Sequence, residues 1–470
     1  MMSEAPLILW FRRDLRLSDH PMLAEALTSG RPLIPVFVLD PETEAIGAAA
    51  RWRFGLGIAD FAARLEGVGS RLILRRGPAA EVLDGLIAET GAAGVMWSRS
   101  YDPATRARDK GLKAGLLARG LVARSVPGFL LHEPWTVKTG LDGFYRVYTP
   151  FWNTLRDREV PQPLPAPDHL PQPALWPASD NLKDWRMGAA MQRGATVLRP
   201  YARVGEGEAL ARLQEFLATK IATYKARRDF MAEDTCSGLS ENLTYGEISP
   251  RQIWHAGLHA MHAGAAGAEH FLKELVWREF AWHLLHHTPH IAQTSWRPEW
   301  DAFPWRGDTA DAETWRRGMT GEPIVDAAMR QMFVTGTMHN RARMITASYL
   351  TKHLLTHWKV GLDWFAGCLT DWDPASNAMG WQWVAGSGPD AAPYFRIFNP
   401  ATQAKSFDPD GTYQRHYIAE LSPQPEKPAL DYFDAVPRCW GLTPAQRYPA
   451  PMISLADGRA RALAVFQKRT

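Results

Sequence analysis

Short, wholly apolar runs alternate with amphipathic stretches along the first 135 residues of the chain. Leu7 to Phe11, Leu33 to Leu39, Leu72 to Leu74, Val95 to Trp97 and the stretch around Val122 predict buried strands. The segments between them predict helices; in 79–89, for instance, Val82, Leu83 and Leu86 fall on one face. This alternation predicts a doubly wound parallel-sheet α/β domain. No GxGxxG follows any strand, and Gly55 and Gly57 lie inside a helical pattern without a third glycine, so no dinucleotide site is expected on this domain.

Prolines crowd residues 160 to 173 (VPQPLPAPDHLPQP), where they remove donors and block helix, so the stretch reads as a connector. Beyond it the period turns helical. Residues 206–223, 250–261, 269–286, 323–334, 341–357 and 362–369 each repeat apolar positions at three-to-four spacing. The expected organisation is an α/β domain over 1–135, a linker over 136–203 and a larger all-helical domain over 204–470.

One stretch follows neither period. Residues 371 to 400, DWDPASNAMGWQWVAGSGPDAAPYFRIFNP, hold three tryptophans, three aspartates, two asparagines and three glycines. Large flat rings beside small residues and a few polar anchors suit a cavity for a planar ligand, although any single tryptophan there reads equally as core. Of 20 tryptophans, 13 lie from Trp254 onward, which puts the unusual chemistry in the second half. A net charge of +3 permits an anionic partner without requiring one. Three scattered cysteines exclude a disulfide framework and point to a reducing compartment. No segment is apolar enough to span a membrane, and Leu7 to Phe11 runs straight into charge, so a cytoplasmic protein is expected.

Several motifs then stand in order: WFRRDLRLSDHP (Trp10 to Pro21), ENLTYGEISPRQIW (Glu241 to Trp254), ELVWREFAWHL (Glu274 to Leu284), TGEPIVDAAMRQM (Thr320 to Met332), MHNRARM (Met338 to Met344) and the 371–400 stretch. Across nearly the whole chain this resembles the photolyase/cryptochrome family, most closely its microbial cyclobutane pyrimidine dimer photolyases of class III or class I. The resemblance implies blue-light-driven electron transfer from reduced FAD, held bent in the helical domain, to a pyrimidine dimer in DNA. It also implies a second, antenna chromophore, with 5,10-methenyltetrahydrofolate expected, and a monomer.

The same resemblance assigns residues. Tyr224, Ser237, Leu239 and Ser240 match the phosphate-binding positions, where a plain capped loop is the alternative reading. Cys236 stands where a threonine is common and Gly238 where an arginine is common. Glu274, Trp277 and Arg278 share one helical face. On spacing alone Glu274 and Arg278 read as an intrahelical ion pair; by resemblance Glu274 meets the pyrimidine, Trp277 stacks on it and Arg278 faces the flavin. Met344 and Trp383 match further substrate positions. Asn340, Arg343, Asp371, Asp373 and Asn377 match the ring around the isoalloxazine, with Phe271 and Phe365 lining it or packing as core. An ion pair of Asp371 with Arg343 is implied, against a metal-binding DxD. Trp381, Trp358 and Trp305 match a chain that carries electrons to the flavin, with Trp372 or Trp383 as possible branches. Arg228 and Arg341, and Arg396 beyond them, are expected to grip DNA phosphates.

Three other functions compete. A cryptochrome would keep the fold but signal without repair, against which stand Asn377, Glu274 and Trp277. A (6-4) photolyase would carry histidines at the substrate pocket. A metallohydrolase would have to use His283, His286, His287 and His290, which lack HExxH order and read as a helix end of stacked or solvated imidazoles.

Overall fold

The computed structural model describes residues 4–390 and 395–468. Five parallel strands, β1 (Leu7–Phe11), β2 (Leu33–Leu39), β3 (Ile73–Arg76), β4 (Gly94–Ser98) and β5 (Val122–Val126), lie in the order β3-β2-β1-β4-β5. Leu7 pairs with both Leu33 and Gly94, so β1 is central. Every residue of β1 and β2 is buried, because helices cover both faces of the sheet. Successive side chains point to opposite faces. Leu7, Leu9 and Phe11 therefore meet Phe54, Ile58 and Phe61 of the Ala48–Gly67 helix, while Ile8 and Trp10 meet the side held by Leu83, Leu86 and Leu112. The third strand runs from Ile73 to Arg76, past the expected Leu72 to Leu74, because ladder pairing with β2 continues through two arginines.

The proline-rich stretch is an extended strap that fills core as it passes. Val160 is buried in the helical core, Leu170 beneath the sheet's first face. Backbone bonds tie the strap down: Leu170 N–H to the Val68 carbonyl at 3.0 Å and Leu33 N–H to the Pro171 carbonyl at 2.8 Å. Ahead of it, the Tyr148–Leu155 helix packs its aromatic face on the helical module.

The remaining core is built by helices Pro250–His262, Ala268–His287, Pro323–Thr335, Asn340–Ser348, Trp358–Cys368 and Pro374–Ala385. Two expectations are corrected. The pattern over 341–357 is not one helix: it is α-helical to Ser348, widens into a π-helical turn over Tyr349–His353 and turns at Leu355, whose φ is +54°. The 371–400 stretch, read as aperiodic, contains the Pro374–Ala385 helix, capped by the Asp373 carboxylate accepting the Ser376 N–H at 2.7 Å. Apolar and small side chains surround that helix on almost every side, so it has no polar stripe to show a period.

Buried charges join the two modules. Arg53, fully buried on the Ala48–Gly67 helix, holds Glu247 at 2.6 Å and Glu241 at 2.9 Å across the interface. In the other direction Glu206 accepts the Leu17 and Ser18 N–H groups at 2.9 Å each and pairs with Arg64 at 2.8 Å. Both carboxylates that meet Arg53 stand on the segment leading into the Pro250–His262 helix, next to the loop at 237–240.

Candidate functional site

A cavity of about 320 Å³ opens in the middle of the helical module and widens into a second space of about 1350 Å³. The inner space falls within the range of ligand pockets, roughly 300–1,000 Å³. Helices and the loops between them make its walls. Ala268–His287 supplies Phe271, Glu274 and Arg278; Asn340–Ser348 supplies Asn340, Arg343 and Met344; Trp358–Cys368 supplies Phe365; Pro374–Ala385 supplies Asn377 and Trp381. Tyr224, Ser237, Leu239 and Ser240 close one end, and Asp371 and Asp373 the floor. Every residue that the family resemblance places around a cofactor thus lies on one wall or another of this space.

The polar groups of the floor are already oriented. Asp371 accepts from Arg343 Nη2 at 2.8 Å and from Ser240 Oγ at 2.7 Å. The expected ion pair is therefore present. Asp373 is spoken for by its helix cap and by Trp282 Nε1 at 2.9 Å. Among the described residues of the lining, three donors are left over: Asn377 Nδ2, Arg278 Nη2 and Trp372 Nε1 are buried without any hydrogen-bond partner. A buried unpaired donor is costly, about 1–3 kcal/mol, so all three are placed for a ligand with acceptors. Gly380, on the helix turn after Asn377, has open space where a Cβ would stand, which keeps the cavity wide at that wall. Burial lowers the pKa of Arg278, with Asp373 and Glu279 pulling the other way; its other contacts are the Phe129 carbonyl at 3.0 Å and the Phe129 ring at 4.3 Å.

At the mouth the arrangement differs from the spacing argument. Glu274 pairs with Arg228, just past the end of the short Tyr224–Arg227 helix, and lies 3.6 Å from His270 Nε2, while Arg278 turns inward. Trp277 lines the outer space and is stacked on Tyr148, centroids 3.7 Å apart and rings 6° from parallel. Trp383 lines it too, its Nε1 donating to the Asp390 carbonyl at 3.1 Å. Arg228 and Met344 also reach this space. Two residues expected at the site stand away from both cavities: Arg341 pairs with Asp229 at 2.5 Å and stacks on Phe407, and Arg396 stacks on Phe398. Residues 391–394 of the same loop lie outside the described residues.

Trp381 forms part of the cavity wall, against Phe365 at 4.9 Å. Its ring lies directly on Gly361, where a Cβ would come within 2.0 Å of it. Trp358 is fully buried, and Trp305 is partly exposed. His357 bridges those two, 5.4 Å from Trp358 and 5.8 Å from Trp305. The histidines at the end of Ala268–His287 stack with one another and with Phe144, His287 lying 4.8 Å from that ring. Burial pushes His283 down to about 3 and His286 to about 4, so both imidazoles are neutral there.

Comparison with known proteins now decides the family. The model for the FAD binding domain of DNA photolyase matches residues 271–468, and the DNA photolyase model matches 7–168. The deoxyribodipyrimidine photo-lyase of Agrobacterium fabrum is 44% identical over 472 residues, covering 99% of this chain and 98% of that one. This chain belongs to the photolyase/cryptochrome family. Among solved structures, a bacterial class III photolyase from Agrobacterium tumefaciens superposes with a TM-score of 0.92 at 43% identity, covering 100% of this chain and 98% of the other. An archaeal photolyase from Sulfolobus tokodaii, described with two FAD molecules and a novel light-harvesting cofactor, gives 0.81 at 27% identity, covering 98% of this chain and 100% of the other. The helical module of this photolyase-family chain is an FAD-binding domain, and the cavity within it has apolar and aromatic walls, three unpaired donors and a row of hydroxyls at one end. Sequence reading missed Tyr148 and Ser376. Tyr148 lies 129 positions before the ring it stacks on, a distance no local pattern spans.

Proposed function

We propose that the protein is a light-dependent DNA repair enzyme, a deoxyribodipyrimidine photo-lyase that splits cyclobutane pyrimidine dimers. One observation carries this reading: a flavin-sized inner cavity with unpaired Asn377 and Arg278 donors opens directly onto an outer space lined by Glu274, Trp277, Met344 and Trp383. When bound, reduced FAD supplies the photoexcited electron that opens the dimer and takes it back, so no net redox change results.

The chain's own residues bind, orient and shield. Asn377 would donate to a flavin ring acceptor, Arg278 would offer a second donor from the opposite wall, and the Arg343–Asp371 pair would fix the floor beneath them. Tyr224, Ser237, Leu239 and Ser240 would meet the phosphate end. In the outer space Trp277, held flat by Tyr148, offers a rigid face to an extruded pyrimidine dimer, and Glu274 offers hydrogen bonding at its edge. Arg228 at the mouth would meet DNA phosphate, with Arg341 and Arg396 on the surrounding surface. Trp381, Trp358 and Trp305 pass from the cavity wall to a partly exposed ring, a path for reducing the flavin from outside.

The proposed division is 1–135 for the sheet domain, 136–203 for the connector and 204–470 for the catalytic module, acting as a monomer in the cytoplasm. Methenyltetrahydrofolate is the proposed antenna, with a second flavin as the other outcome of a chromophore extraction. The test is direct: purified protein is incubated with a dimer-containing oligonucleotide in blue light and in darkness. Light-dependent recovery of thymines supports repair; unchanged lesion beside a reducible bound flavin supports a cryptochrome instead. Glu274→Ala should lower repair yield while FAD stays bound.

A further inference from the structure

One cation beside the loop that closes the inner cavity has no task in that account. Arg212, on the Glu206–Thr219 helix, lines the outer space beside Ser237, Gly238 and Ser240. Its Nη1 donates to the Gly238 carbonyl and, at 3.1 Å, to Oδ1 of Asn242. Asn242 is itself pinned, its amide nitrogen donating to Glu247 at 2.7 Å and to the Arg203 carbonyl at 3.0 Å. Two fixed acceptors therefore aim the guanidinium. Among the described residues no carboxylate pairs with it: Glu241, the acid that acts on it most strongly, is held by Arg53 at 2.9 Å. A guanidinium has five donors in a rigid fork, and the contacts to Gly238 and Asn242 use only Nη1.

Gly238 supplies a second, independent observation. Its φ is +65°, a left-handed conformation that side chains rarely adopt, and a Cβ there would lie 3.4–3.5 Å from Cδ, Cζ and Nε of Arg212. The arginine thus lies across the bare face of the glycine, where a side chain from position 238 would start. Its surroundings also call for a positive charge. Ser237 and Ser240 are neutral, Ser240 already donates to Asp371, and Arg343 is neutralised by that same carboxylate. A diphosphate arriving there would otherwise meet hydroxyls and two nearby acids.

We propose that Arg212 is the cation that receives the FAD diphosphate, filling from a neighbouring helix the place that Gly238 leaves open. This rests on the reading of the cavity as the FAD site. Planar bidentate contact to phosphate is what a guanidinium oriented by two outside acceptors can offer.

The test separates phosphate from ring. Flavin-stripped wild type, Arg212→Gln and Arg212→Lys are titrated with FAD and with riboflavin, which has the same ring and no phosphate, and binding is read by quenching of flavin fluorescence. Arg212→Gln should raise the Kd for FAD about 10- to 100-fold, the range of charge-assisted hydrogen bonds, and leave riboflavin within about 2-fold. Arg212→Lys should recover part of the loss, and the wild-type advantage for FAD should shrink with added salt. Unchanged FAD binding in Arg212→Gln would overturn the proposal, and so would equal weakening of both flavins, which marks a structural role. A wild-type protein that bound neither flavin would overturn the FAD reading itself.

Discussion

Replacing Gly361 by alanine should damage the protein where helix propensity says it should help. A methyl group at 361 would stand 2.0 Å from Cη2 of Trp381 and 2.4 and 2.6 Å from its neighbouring ring atoms. Carbon atoms in contact lie about 3.5–4.0 Å apart, so the indole has to retreat by about 1.5–2 Å. Phe365 at 4.9 Å and Trp315 at 6.2 Å stand against the ring, which leaves the cavity as its way out. Overpacking of this kind costs about 1–3 kcal/mol, against about 0.8–1 kcal/mol gained by alanine over glycine in a helix, so the net expectation is a loss of up to about 2 kcal/mol. Gly367 on the same helix is the control: nothing lies within 4 Å of its added Cβ, and Gly367→Ala should be neutral or stabilising by up to about 1 kcal/mol. Urea unfolding of both apoproteins by far-UV circular dichroism gives the two differences, and absorbance gives FAD bound per chain. The Gly361 variant should also lose flavin, because its displaced indole enters the pocket. If it proved as stable as the Gly367 variant and kept its flavin, the packing of Trp381 on that helix would be misplaced.

Other outcomes follow from buried polar groups. Arg53→Ala leaves Glu241 and Glu247 buried without their cation and should cost about 3–5 kcal/mol in equilibrium unfolding; a loss under about 1 kcal/mol would contradict the geometry. Asn377→Ala removes an amide with no protein partner, so apoprotein stability should hardly move while FAD affinity falls about 2- to 12-fold, the worth of one hydrogen bond, in a fluorescence titration. Burial raises Glu279 from 4.5 to about 7, partly offset by Arg278 and the Leu131 N–H, so its folded state holds the proton more tightly than its unfolded state. Its contribution is therefore fully favourable below about pH 4.5 and is lost as pH rises to about 7. Glu279→Gln should gain stability over wild type by a few kcal/mol more at pH 8 than at pH 5, and a pH-independent difference in urea midpoints would refute this.

Much of the sheet domain could be read from the chain because its strands are covered twice. β1 and β2 are buried at every position, so their boundaries coincide with their apolar runs. Where one side is open the signal thins: β5, at the sheet edge, exposes Val122 and Arg124, and only its beginning was marked by sequence. The helix Pro374–Ala385 failed for the opposite reason, being enclosed so completely that residue type replaced period as the clue. Residue type was nonetheless informative there, since Asn377 and Trp381 both reach the cavity. Pairing was harder to read than placement. Glu274 and Arg278 share a helical face yet take partners elsewhere, Arg228 and the Phe129 carbonyl, because the cavity draws one inward and leaves the other at its rim. Arg212 gave no signal, since an arginine on an amphipathic helix reads as solvated until the tertiary fold puts it on a cavity wall.

The ion pairs across the seam between the two modules imply a molecule that survives being cut. Leu141, on a turn, is 97% exposed and within easy reach of a protease. A nick there would sever the backbone but leave Arg53 gripping Glu241 and Glu247, and Glu206 gripping Leu17, Ser18 and Arg64. Both fragments should co-elute until denatured. The same clasp ties the loop at 237–240, at one end of the pocket, to the sheet, so flavin retention and cohesion of the halves should fail together as denaturant rises.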